Sequence, residues 1–175
     1  MDLVAGDAWG RMFSSFERSA WRLETQGVYR EPNETEHLRK FLAGEPDDIR
    51  WLTDWFTGIR DIRAAGKTFG RVRVLTDPLT DYLRFELSLT PPAVAAGEDI
   101  RVMSAHLAVE LMLPTYDYWL FDDEIVAKMH FGPDGFVGAE MIRDKSAVAQ
   151  HQYWRSVAWS HATPFADYAR DQLAS

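Results

Sequence analysis

The acids best placed to do chemistry cluster at Asp122, Asp123 and Glu124, inside "YWLFDDEIVAKMHF" (118–131). Paired carboxylates can divide acid and base work when their environments push their pKa values apart. They can equally close a hairpin, because Asp side chains accept local backbone N–H bonds. The apolar runs on either side, 116–121 and 125–131, read as strands and favour the hairpin. A second candidate is "TDPLTDY" (76–82), where a short strand feeds a helix. Ligands of open α/β sheets collect at the carboxyl ends of strands, so Asp77, Thr80, Asp81 and Tyr82 would surround such a site. The simpler role for Asp77 is to cap the helix. Arg71, Arg73 and Arg101 alternate with apolar residues on two strands. Each needs a carboxylate or a place at the sheet's rim. With Asp77, Glu86, Asp99 and Asp123 as the available partners, an ion-pair network is expected rather than an anion site.

Other chemistries lack their residues. "AAGKT" (64–68) has Asp61 where a P-loop needs its first glycine, and it follows a helix instead of a strand. Its glycine reads as a helix stop. His37, His106, His130, His151 and His161 show no metal-ligand spacing. There is no G-x-S-x-G elbow, and no cysteine to act as nucleophile, ligand or disulfide. No metal and no cofactor is expected.

Around these residues the elements alternate. Helices are predicted over 8–25, 33–43 and from Asp47 or Asp48 to Ala65. Asn33 and Glu36 should form a capping box, with Gly44 as the stop. A strand at 70–76 leads into a helix with Pro78 in its first turn, broken at "TPP" (90–92), and a further helical turn ends at Gly97. Strands follow at 98–104, 116–121, 125–131 and 136–142, with 106–113 ambiguous. The chain is then helical from Asp144 to Ala162, and Pro164 opens a last short helix. This order is an α/β domain with a mixed sheet flanked by helices. A single domain over 1–175 is expected, with a helical region at 1–46 and an α/β core at 47–175.

The chain has 27 acidic against 19 basic residues, a net charge of -8. That balance, without a basic run, argues against direct nucleic-acid binding. No apolar run reaches the roughly 20 residues of a membrane span, and the N-terminus lacks a signal-peptide pattern. A cytoplasmic location is the expectation.

The strand–helix–strand–hairpin order, ending in "WRSVAWSHATPF", resembles one half of the phospholipase D-like fold. In that superfamily the H-x-K-x-x-x-x-D motif supplies a histidine nucleophile, a phosphate-holding lysine and an aspartate. "YDYWLFDD" stands in the same register, with Tyr116 for the histidine, Tyr118 for the lysine and Asp123 for the aspartate. The resemblance therefore implies loss of phosphodiesterase chemistry. The stretches "FERSAWRLET", "RVRVLTDPLTDYLRFEL", "AGEDIRV" and "DYWLFDDEIVAKMHFGPDG" resemble an uncharacterised actinobacterial family often encoded beside helix-turn-helix regulators of antitoxin type. That implies an accessory to a regulator, and the phospholipase D-like half implies pairing as a homodimer.

The leading expectation is a non-catalytic domain that binds a partner protein or a small ligand. Its ligand-binding residues would be Arg73, Asp77, Thr80, Tyr82, Arg101, Tyr116, Tyr118, Trp119 and Asp123, with none catalytic. A hydrolase would draw on Asp77, Tyr82, Arg101, Trp119 and Asp123. A third reading is an acidic inhibitor that occupies a nucleic-acid site.

Overall fold

A computed structural model describes residues 2–174; Met1 and Ser175 of the expected domain lie outside it. The α/β class holds: seven strands form one mixed sheet with helices on both faces. The elements are α1 (Gly6–Ser15), β1 (Ser19–Glu24), α2 (Thr35–Ala43), α3 (Thr53–Ala64), β2 (Thr68–Leu75), α4 (Asp81–Ala96) and β3 (Asp99–Ser104). There follow α5 (Ala105–Glu110), β4 (Tyr118–Phe121), β5 (Ile125–Gly132), β6 (Gly135–Ile142), α6 (Lys145–His161), β7 (Thr163–Pro164) and α7 (Phe165–Leu173). Short 3-10 turns, Pro32–Glu34 and Arg50–Leu52, precede α2 and α3.

The order across the sheet is β6-β5-β4-β1-β2-β3-β7. β1, β2 and β3 are parallel, joined by helical crossovers, and the outer strands pair antiparallel. Helices α1, α3 and α4 cover a first face through Phe13, Phe56, Ile59, Ala93 and Ala96. Helices α5 and α6 cover the second face through Leu107, Val148 and Ala158. The alternation of strand side chains sends neighbours to opposite layers: Ala20 joins the first core, Trp21 and Leu23 the second.

That alternation corrects the expected helix over 8–25. Phe13, Phe16, Ala20 and Leu23 do recur at helical spacing, but Ala20 and Leu23 lie on opposite sides of β1. The helix stops at Ser15, and the Asp122 carboxylate accepts the backbone N–H groups of Glu17, Arg18 and Ser19 at 2.9, 2.6 and 2.9 Å. Those N–H groups are thereby unavailable to a helical ladder. β1 sits between β4 and β2, so the first 46 residues are not a helical region beside the sheet but supply a central strand.

Three further expectations need correction. The proposed capping box does not form: Asn33 lies in the 3-10 turn, and Glu36 bonds Arg39 instead. Gly44 does stop α2, at φ 68°. Pro78 precedes α4, which is capped at Thr80, where Oγ1 accepts from Leu83 N at 3.1 Å. α4 then runs through Pro91 and Pro92 to its glycine stop at Gly97. An internal proline costs about 3 kcal/mol; burial of Thr90, Ala93 and Ala96 against the sheet offsets it. The ambiguous stretch becomes α5, capped by Ser104.

Candidate functional site

The first face is not apolar throughout. Along β1 it presents Ala20, Arg22 and Glu24, and along β2 Phe69, Arg71 and Arg73. The charged members sit mid-sheet, beneath α4 and the 3-10 turns. Glu24 is 4% exposed and lies between three guanidiniums: Arg22 at 3.1 Å, Arg71 at 2.8 Å and Arg73 at 2.7 Å. Each arginine takes a second acid. Arg22 reaches Asp117 at 2.9 Å, Arg73 reaches Glu86 at 2.9 Å, and Arg71 bonds Glu98. Asp117 also accepts from Thr25 N, Thr25 Oγ1 and Tyr29 Oη, at 2.8, 2.9 and 2.6 Å. Trp119 lies beneath, its ring 5.9 Å from the Arg22 guanidinium carbon and 5.8 Å from that of Arg71.

Burial pushes the Glu24 carboxyl up, but Arg73, Arg22 and Arg71 outweigh it and hold it well below the usual carboxylate range. The opposite balance holds at the rim. Glu34 accepts a 2.6 Å hydrogen bond from Tyr82 Oη, which also lies 3.4 Å from Glu86. Burial, then the charge of Glu86, push Glu34 up to about 7 despite that bond. Burial and the same two glutamates hold the Tyr82 phenol far above its usual value.

These groups enclose a cavity of about 370 Å³. Its polar wall holds Arg22, Arg71 and Arg73 with Glu24, Glu31, Glu34, Glu86 and Glu98. Its apolar wall is aromatic, including Tyr29, Trp51, Phe56, Phe131 and Phe136. Two buried N–H groups on lining side chains, Arg22 Nε and Trp51 Nε1, have no acceptor among the described residues. The volume is that of a small-molecule site, and the mix of aromatic wall with few converging polar groups is the usual one.

Of the expected site residues, the structure brings Arg73 and Tyr82 into this cavity. Trp119 supports its floor. Thr80 caps α4, and Asp77 is exposed beside it. Arg101 points to the second face, with its guanidinium 3.8 Å from the Trp159 ring and Nη1 donating to Trp159 O. Tyr116 and Tyr118 are also on that face, bonded to His151 Nε2 (3.1 Å) and His151 O (3.0 Å). Asp123 is at the far end of the strands. The five residues of the hydrolase reading therefore do not converge. The expected pairing of Asp123 with Arg73 or Arg101 is corrected: its carboxylate, 47% exposed, bonds Arg155.

The hairpin reading of the acidic stretch holds. Glu124 N donates to Phe121 O at 3.0 Å, and Asp122 and Asp123 both have positive φ, 54° and 60°. Two positive-φ central residues are the mark of the hairpin turn that matches strand twist. Among the described residues no cluster of three metal-ligating side chains occurs.

Sequence reasoning missed Arg22, Glu24, Tyr29, Glu34, Trp51 and Asp117. The first two carried a signal: "AWRLE" alternates apolar with charged residues as "RVRV" does. Of the acids expected to pair with arginines, Glu86 does meet Arg73, and Asp99 lies 3.6 Å from Arg101.

An α/β domain with a charged, aromatic-walled cavity on one sheet face is the class that fold and site define. Residues 7–170 match the model of a family described as a domain of unknown function, DUF6879, and the chain belongs to that family. No curated protein matches it. Among the described residues no helix is long and apolar enough to cross a membrane.

Proposed function

We propose that this is a non-catalytic domain that binds a small ligand in the cavity over Arg22, Arg71 and Arg73. The observation that carries the reading is the position of the ion pairs. A buried ionic lattice is a poor source of stability, because desolvation offsets its Coulomb attraction. Here it borders an open volume of ligand size rather than a packed interface. In this reading the domain is an accessory to a helix-turn-helix regulator, in the cytoplasm of an actinobacterium, and ligand occupancy is what it reports. Two copies would pair, and the phospholipase D-like resemblance describes ancestry: the tyrosines standing for histidine and lysine have become packing groups of the second face.

An enzyme is the second reading, favoured by one observation: a carboxyl held near neutrality, Glu34, beside the Tyr82 phenol in a cavity. The hydroxyls of Thr25 and Thr90 donate to Asp117 and to Glu86 O, so neither is bonded to Glu34. An acidic inhibitor has less support, since Glu24, Glu98 and Asp117 are spent inside on arginines.

Equilibrium dialysis of the purified chain against a mixed pool of small metabolites, read by mass spectrometry, tests the binding reading. Asn33→Trp, an exposed position on the cavity wall, serves as the plugged control. Retention by the native chain and its loss in N33W are expected; no retention by the native chain overturns the reading.

A further inference from the structure

We propose that the cavity takes a small organic cation, its charged head set against Glu34 and its body against the aromatic wall. The inference rests on the ligand-binding reading and adds the ligand's charge and class.

Five glutamates face the cavity against three arginines. The arginines are already matched: each bonds two acids, one of them Glu24. An anionic ligand would have to compete with those carboxylates for guanidiniums that are buried beside them. Glu34 differs. It has the Tyr82 hydroxyl and no cationic partner among the described residues, and Glu86 approaches the same hydroxyl. The charge of Glu86 makes Glu34 harder to ionise, and an ammonium or amidinium beside Glu34 offsets that cost. With burial and Glu86 raising it to about 7, Glu34 is about half protonated at neutrality, so a cation would bind with release of part of a proton.

The surrounding rings favour the same charge. Tyr29, Trp51 and Phe131 line the cavity, and the negative face of an aromatic ring attracts cations. The orphaned donors, Arg22 Nε and Trp51 Nε1, add a second requirement. A buried N–H without an acceptor is costly, so the ligand should carry a hydroxyl or carbonyl beyond its cationic head.

Tyramine, tyrosol and p-hydroxyphenylacetate are nearly alike in shape and differ in charge, which makes them the probes. Agmatine supplies a second cation without the ring. Thermal melts of the full chain at neutral pH are expected to show a raised midpoint with tyramine or agmatine at about 10 mM, and none with the alcohol or the acid. Calorimetric affinity for the stabilising cation should fall about tenfold or more in Glu34→Gln. Asn33→Trp should abolish it. A midpoint raised equally by the alcohol or the acid overturns the charge assignment, as does E34Q with native affinity. No shift with either cation overturns it too. The charge series on the native chain decides the matter even if a variant fails to fold. Retention of neutral or anionic metabolites in the dialysis experiment would leave the binding reading standing while this inference fell.

Discussion

β1 and β2 show two different solutions on their two faces. Toward α5 and α6 they present Trp21, Leu23, Val72 and Val74, all within one apolar cluster. Toward α4 the same strands present Arg22, Glu24, Arg71 and Arg73, locked in ion pairs. The apolar face stabilises the fold at about 25 cal/mol for each Å² removed from water. The ionic face contributes little net stability, because desolvation and attraction nearly cancel. Ala20 and Phe69, one step back on the same side of those strands, are apolar and packed. The charge is therefore local, confined to where the cavity lies. Net worth and fragility differ, however. A buried lattice adds little as a whole, yet losing one member strands the others.

Glu24 tests that contrast hardest. Glu24→Ala leaves three guanidiniums sharing fewer acids, and breaking a buried pair costs about 3–5 kcal/mol. Urea melts of the variant beside Leu23→Ala compare adjacent residues on opposite faces. A loss for E24A below about 1 kcal/mol would mean the guanidiniums are solvated, and the two faces would then not differ in kind.

The hairpin sets up a smaller contrast of the same sort, between consecutive aspartates. Asp122 accepts three backbone N–H bonds that hold the α1–β1 junction, and those bonds keep its carboxyl below the usual range although burial pushes it up. Asp123 meets Arg155 at the surface. Asp122→Ala should cost about 2–3 kcal/mol, and Asp123→Ala about 1 kcal/mol or less, part of it from alanine at positive φ. Equal denaturation midpoints would show that the junction is held by packing alone.

The same aspartates mark how far the sequence could be read. The α/β class, the strand–helix–strand unit and the antiparallel run were legible because each element carries its own periodicity or turn residues. The Asp-Asp turn was legible for that reason too. Which aspartate matters was not, because Asp122 is defined by partners more than 100 positions away. β1 was lost because Phe13, Phe16, Ala20 and Leu23 continue one helical spacing across the α1–β1 junction, although Ala20 and Leu23 face opposite sides of the strand. With β1 went Arg22 and Glu24, the centre of the site. Tyr82 was singled out because a strand feeding a helix locates the carboxyl end of a sheet, and Arg73 because an arginine alternating with valines on a strand needs an acidic partner; both line the cavity. Arg101, Tyr116 and Tyr118 were placed with them wrongly, since nothing local tells which face of a strand looks toward which helix layer.

A third test concerns the link between the loop after β1 and the start of α4. Thr80 Oγ1 accepts from Leu83 N and donates to Gly27 O. Thr80→Ala removes the cap and the tie together, an expected loss of about 1–2 kcal/mol. If the loop positions Tyr29 and Glu34 at the cavity, the variant should also bind ligand more weakly than its stability loss explains. Unchanged affinity would detach that loop from the site.

The smallest expected effect separates the two glutamates by pH. Glu24 is held below its unfolded value, so the stability it contributes is present above the ordinary carboxylate range and is lost as pH falls below it. Glu34 is raised from 4.5 to about 7, so its contribution has the opposite sign. It is fully present below pH 4.5 and is lost as pH rises through about 7, where the native state must ionise a carboxyl facing Glu86 and Glu31, with the Tyr82 hydroxyl donating to it. Glu34 is partly exposed, so solvent screening reduces the effect to on the order of 1 kcal/mol. Glu34→Gln keeps an acceptor for Tyr82 and cannot ionise. The native chain should therefore lose stability between about pH 5 and pH 8 relative to E34Q, while both fall together in acid as Glu24 protonates. Urea midpoints across that range decide it. Parallel curves above pH 5 would place Glu34 in water with an ordinary pKa, and the rim of the cavity would then carry an open negative charge instead of a proton waiting to be exchanged.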